Sequence, residues 1–163
     1  MLAKLIEEYK VVNSVGNNVG RIKDLYINLN TWMITSFEIS PGPLKKDFLI
    51  KIDDVVKFDE TDKMVIIKDE FEKKEIPKHP MKENYPFEEL KKHNVVDSDD
   101  EKVGKIYNLE IPFEKLKTFK VWKVLIRTGI KERRLRLNTS EIVEVMDEIK
   151  LAKPEKEYSG EEE

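Results

Sequence analysis

Cysteine and glutamine are both absent from the 163 residues, and histidine occurs only twice. Without thiols there is no disulfide, no thiolate metal cluster and no cysteine nucleophile, so packing alone must hold the fold. Net charge is nearly missing as well. The 30 basic side chains against 33 acidic ones leave −3, which excludes wholesale polyanion binding but allows a local basic patch. Apolar runs such as Met64-Val65-Ile66-Ile67 fall far short of the ~20 residues a membrane span needs, and no basic-then-apolar start with a small-residue cleavage site is found. The expectation is a cytoplasmic protein with no direct membrane span. Lysine and glutamate are abundant instead, a bias that accompanies proteins working at high temperature, and the chain is expected to be thermophilic.

The chain repeats itself. Residues 11–27 read VVNSVGNNVGRIKDLYI and residues 95–111 read VVDSDDEKVGKIYNLEI, 84 positions apart. Eight of the seventeen pairs are identical, among them Val19/Val103, Gly20/Gly104, Ile22/Ile106 and Leu25/Leu109, where chance at roughly 6% per position gives about one. The match extends upstream through Ile6/Leu90 and weakens downstream, where the second copy has a longer segment, Pro112 to Thr118, before Trp122. Trp32 and Trp122 are expected to open comparable strands. Two copies of one module are predicted: module 1 over 1–76, a proline-bearing linker over 77–85, module 2 over 86–151 and a disordered acidic tail over 152–163.

Each module reads as β. Leu25, Ile27 and Leu29 alternate with polar or amphipathic neighbours, the period of a half-buried strand. The spacing Val19, Ile22, Leu25 breaks that period, and Val103, Ile106, Leu109 breaks it again, which predicts a bulge or bend in both copies. Further strands are expected at Trp32–Ser40, Phe48–Ile52, Val55–Phe58 and Met64–Lys68, then at Phe119–Arg127, Arg133–Leu137 and Glu148–Leu151, with a helical turn near Ser140–Met146. Gly20 and Gly104 are placed where a bend or a close backbone approach requires them.

The short N-terminal turn, the pattern V-V-x-S-x-x-x-x-V-G-x-I-x-[DN]-L-x-I and a hydrophobic strand near tryptophan resemble the PRC-barrel family, named for a photosynthetic reaction-centre subunit and also supplying the C-terminal domain of the ribosome maturation factor RimM. The second copy departs from the pattern at its first turn, where Asp99 and Asp100 replace a glycine-bearing turn, and in the Pro112–Thr118 insertion. The resemblance implies a mainly all-β chain of two small PRC-type barrels in tandem with short helical turns, of the archaeal cell-division (CdpB-like) type. Members of that group join the FtsZ-based machinery through the membrane-linked adaptor SepF and through barrel-to-barrel association. A non-enzymatic scaffold or adaptor at the division site is implied, partnered by itself, by a paralogous PRC-barrel protein or by a SepF-like adaptor. The alternative implied by RimM is an RNA- or ribosome-associated binding module.

Modules this small bury too little surface to be stable alone without a staple. Val121, Trp122, Val124, Leu125 and Ile126 are apolar on both strand faces, and Trp32-Met33-Ile34 shows the same doubling, so one set must face something other than its own interior. Trp32, Ile34, Trp122, Val124 and Ile126 are the candidate interface residues. The second face is covered either by the protein's own loops or by another module or chain. Between Glu114 and Arg136 nine cations stand against two acids; Lys120, Lys123, Arg127, Arg133, Arg134 and Arg136 form a candidate basic patch for phosphates, RNA backbone or an acidic protein segment. An ordinary solvated face is the alternative.

No residue set supports catalysis, a cofactor or a metal. Asp97, Asp99 and Glu101 fall on calcium-loop spacing, yet Lys102 stands where glycine is needed and Asn108 where a bidentate glutamate is needed, so an acidic turn is expected. His79 and His93 have no zinc spacing. The apolar stripe Leu2, Leu5, Ile6, Tyr9, matched by Phe87 and Leu90, is expected to pack on a barrel mouth.

Overall fold

The computed structural model describes residues 1–112, 119–129 and 133–158. Thirteen strands among them form two sheets. The first contains β1 (Lys10–Asn13), β2 (Asn18–Asn28), β3 (Met33–Ser40), β4 (Phe48–Lys51), β5 (Val55–Asp59) and β6 (Met64–Ile67), with the two-residue β7 (Tyr85–Pro86) added alongside β2. The second contains β8 (Asn94–Val96), β9 (Lys102–Glu110), β10 (Lys123–Thr128), β11 (Arg134–Asn138), β12 (Ile142–Val145) and β13 (Glu148–Leu151). The first runs β4-β3-β2-β1-β6-β5 and the second β11-β10-β9-β8-β13-β12, so the two orders superpose strand for strand. Each sheet has one parallel pair, β1 with β6 and β8 with β13. The mostly-β, two-barrel architecture expected from the sequence is what the chain adopts.

The broken periodicity has a direct cause. Pairing of β2 skips Val19 on the β1 side and Lys23 on the β3 side, and pairing of β9 skips Val103 and Tyr107 at the matching places. These paired bulges coil each long strand so that its two ends serve different neighbours. Gly20 and Gly104 sit inside the coil: a Cβ on either would strike the backbone of the third strand, at Ser40 or at Arg127. Both are held by close approach.

Three expectations change. Only Thr139–Glu141 of the expected helical turn is helical, as one 3-10 turn; the β-branched Ile142, Val143 and Val145 continue as β12 and pair with β13. The tail is ordered through Tyr158, which is buried beyond a 3-10 turn at Glu155–Glu157; residues 159–163 lie outside the description, as does most of the 112–118 insertion. The two tryptophans are not equivalent. Tyr26 pairs with Ser36 and Glu110 with Lys123, so the third strands match 87 positions apart and Trp122 corresponds to Thr35.

The N-terminal segment of each half reaches across to the other half. The 3-10 turn Ala3–Glu8 buries Ala3 and Ile6, and Tyr9 follows them at the three-residue spacing of such a turn. It docks on β9: Ile111 N–H donates to Met1 O at 2.8 Å, Leu2 bridges Glu110, and Lys4 N–H donates to Asn108 Oδ1 at 3.1 Å. The second copy of this arm, β7 and the short helix Phe87–Leu90, does the same to β2: Tyr85 pairs with Ile27, Pro86 with Tyr26, and Glu88 N–H donates to the Asp24 carboxylate. Each contact is the 84-shifted image of the other. The apolar stripe thus packs across the molecule and joins both halves into one continuous core. A segment that packs between its own long strand β2 and the opposite half's β9 ties the two folding units together.

Candidate interaction surface

The halves also meet where their third strands begin. Met33 bridges Lys120, Ile34 N–H donates to Phe119 O at 2.6 Å and Val121 N–H donates to Trp32 O at 2.8 Å. Because residues 33 and 120 are 87 positions apart, this bridge marks a pseudo-two-fold axis, and the two flanking bonds are images of each other. Such a self-complementary contact is the kind a symmetric dimer makes. Trp32 reaches it through a turn that puts it at φ +60°, a conformation uncommon for a large side chain; Asn28 supports the turn by accepting the Trp32 N–H at its carbonyl and those of Asn30 and Thr31 at its side chain.

Strand register sorts the candidate interface residues. Trp32 and Ile34 are buried at this seam. Val124 and Ile126 point inward and are fully buried in the core of the second sheet, which removes them from any surface offered to another molecule. Leu125 points outward, yet it too is buried, standing opposite Asn108 where the crossing arm lands. The surplus apolar face is therefore covered within the chain. Trp122 is different: it is 58% exposed.

Trp122 is framed by cations. The Arg136 guanidinium lies 5.4 Å from its ring centre and Lys123 Nζ 5.8 Å, within cation–π range. Arg136 is held there by a bidentate pair with Glu110 at 2.7 and 2.8 Å. The hydrogen bonds from Arg136, opposed by burial and aided by its charge, keep the Glu110 carboxyl below the usual range. Farther along the same face Arg127 stands directly opposite Arg134, and the Tyr107 ring relieves the like-charge contact by lying 5.0 Å from one guanidinium and 5.6 Å from the other. Lys123, Arg127, Arg134 and Arg136 thus gather around two aromatic rings. Lys120 and Arg133 do not join them: Lys120 bridges Met33 at the seam, and Arg133 donates to Tyr158 O at 2.8 Å. Sequence reasoning missed Tyr107, whose place in the bulge brings it onto the outer face.

The acidic turn serves the fold. Asp97 Oδ1 accepts the N–H groups of Asp99 and Glu101, as Asn13 Oδ1 accepts those of Val15 and Asn17. Asp100 takes the positive φ that Gly16 takes in the first half. Burial alone would raise the Asp97 carboxyl, but the N–H donors of Glu155, Glu101 and Asp99 outweigh it and hold it low. Among the described residues no group of three histidines or carboxylates is placed to hold a metal ion, and no helix is long and apolar enough to cross a membrane.

The first half of this fold has a counterpart among known families. Residues 1–73 match the PRC-barrel domain. The PRC-barrel is a general module of protein or RNA association and is not itself catalytic. No curated protein matches the chain. The second half, beyond the matched residues, shares the strand order, bulges and glycine contacts of the PRC-barrel half.

Proposed function

We propose that the protein is a non-enzymatic scaffold or adaptor that works by associating with other proteins, in the setting its resemblance points to, archaeal cell division built on FtsZ and a SepF-like adaptor. The observation that carries the association is Trp122. A large aromatic side chain left mostly in solvent, braced by an arginine that is itself pinned by Glu110, has the composition and rigidity of an interface anchor. The partner is a second copy of the chain or a related PRC-barrel protein. The purified protein is expected to be larger than a monomer by light scattering. Trp122→Glu, at a position with little packing to lose, should return it to monomer mass; an unchanged mass overturns the assignment of this surface.

A second reading, RNA association, is favoured by one feature, the Arg127–Tyr107–Arg134 stack beside Lys123. Against it, the Tyr107 ring is already engaged by both guanidinium groups. Capture of partners from native lysate with and without nuclease separates the two: division proteins retained after nuclease support the adaptor, and loss of every partner supports RNA.

A further inference from the structure

One end of each half is flanked by the turn before the long strand and by a strap that follows the last strand. In the second half the strap, 152–158, is tied to the turn. Ser98 N–H donates to Lys153 O at 3.3 Å and Glu155 N–H to Asp97 Oδ2 at 2.8 Å. The Tyr158 ring is buried, and its hydroxyl donates to Glu141 at 2.9 Å. The strap of the first half starts the same way, with Lys68 N–H on Asp54 O as Ala152 N–H is on Glu141 O. It then runs to the β4 edge. Leu49 and Lys74 exchange backbone hydrogen bonds at 2.8 and 2.9 Å, and Phe71 stacks on Phe48 with ring centres 6.3 Å apart.

A cavity of ≈ 700 Å³ lies between strap and turn, lined among others by Lys45, Lys46, Lys73, Lys74, Phe48 and Phe71. Two acids share the lining, Asp47 and Glu75, and Asp47 is already paired with Lys23 at 2.8 Å. Lys73 Nζ stands 4.9 Å over the Phe48 ring. The size is that of a ligand site, and the lining combines cations with stacked aromatic rings. In the other half a short strap carrying Glu155, Glu157 and Tyr158 crosses the counterparts of two lining residues, bonding Asp97 where the first half has Asn13 and Arg133 where it has Lys46.

We propose that the cavity of the first half is a docking site for an acidic, tyrosine-bearing peptide segment of a partner protein, seated as the chain's own strap is seated on the second half. The four lysines supply the charge complement and the half-buried Phe71, backed by Phe48, the surface for the ring. Because Lys74 already occupies the β4 edge, the peptide is held by its side chains and not as an added strand. The proposal deepens the adaptor reading and rests on it.

The test is fluorescence anisotropy of a labelled peptide with the sequence of residues 154–163, titrated with the full-length protein. Saturable binding is expected, weakened about tenfold or more by the double variant Lys45→Glu, Lys73→Glu and by replacing the peptide's tyrosine with alanine. Circular dichroism melts of the double variant should match those of the parent, since both lysines are exposed. Absence of saturable binding overturns the proposal, as does binding unchanged in the lysine variant, binding lost instead in Asp97→Ala, or displacement of the peptide by RNA or ATP at lower concentration than by unlabelled peptide. Trp122→Glu must leave the peptide affinity unchanged. If the peptide fails while Trp122-dependent association persists, the docking site falls and the adaptor reading stands.

Discussion

The two halves share strand order, bulges and glycine contacts, yet they differ at the arm-receiving position and at the strap. Where the first half presents Asp24 to the incoming arm, the second presents Asn108. Both side chains accept two backbone N–H groups, one from the next residue and one from the arm. The geometry asks only for a buried acceptor, and the amide provides it without a charge. Burial, reinforced by the neighbouring Glu88 and Glu38 carboxylates and opposed by the N–H donors of Leu25 and Glu88, pushes the Asp24 carboxyl up to about 7. The comparison teaches that the carboxylate at 24 is a cost the fold does not require.

The largest effect expected from this arrangement concerns the crossing itself. Ile6→Ala removes a side chain buried in the core shared by both halves and should lower stability by roughly 2–4 kcal/mol. Because both arms cross, the two halves should still unfold in one transition, followed together by far-ultraviolet dichroism and by Trp32 fluorescence in a Trp122→Phe background. Two separated transitions would break the picture of one cooperative body.

Next in size is the charge at 24. Asp24 binds its proton more tightly folded than unfolded, so its contribution to stability is greatest at or below about pH 4, declines as pH rises to about 7 and is level above it. Asp24→Asn, which copies Asn108, should raise stability at pH 8 by roughly 1–3 kcal/mol and flatten the slope between pH 4 and 7. A variant that loses stability at pH 8 would show that the carboxylate holds Glu88 in a way an amide cannot.

The smallest effect is at the strap of the second half. Asp97→Ala removes the acceptor for Glu155, Asp99 and Glu101 and should cost about 1–2 kcal/mol. It should also expose the chain near Lys153 to trypsin. Asp97 has a lowered folded value, so this contribution is present at neutral pH and lost as pH falls through the acid range below about 4. Protease resistance equal to the parent would show that Tyr158 packing alone keeps the strap down.

Much of the frame was legible because it is local. A bulge interrupts hydrophobic spacing, and the interruption at Val19, Ile22 and Leu25 recurs at Val103, Ile106 and Leu109. Glycine at 20 and 104 marked close approach for the same reason. The crossing of the arms was not legible, since Ile6 and Leu90 would show the same apolar stripe whether or not their segments also reached the other sheet. The equivalence of the tryptophans failed for a related reason: the added length between β9 and β10 shifts the repeat from 84 to 87, and only hydrogen-bond register reveals the change. Of the candidate surface, the cationic strands were visible as composition. The separation of exposed Trp122 from buried Val124 and Ile126 needed the strand's facing. The ordered strap was missed because its one large apolar side chain, Tyr158, is anchored by contacts with Glu141 and Arg133 that lie far from it in sequence.

The seam at Met33 and Lys120 carries an evolutionary freedom. A homodimer built on such an axis must accept every substitution twice, once in each subunit, so its two ends stay alike. With both halves on one polypeptide, Asn and Asp can be chosen separately at the arm-receiving position, and one half can tie its strap to its turn while the other keeps a cavity between the two. Asymmetry of that kind gives a symmetric architecture a front and a back.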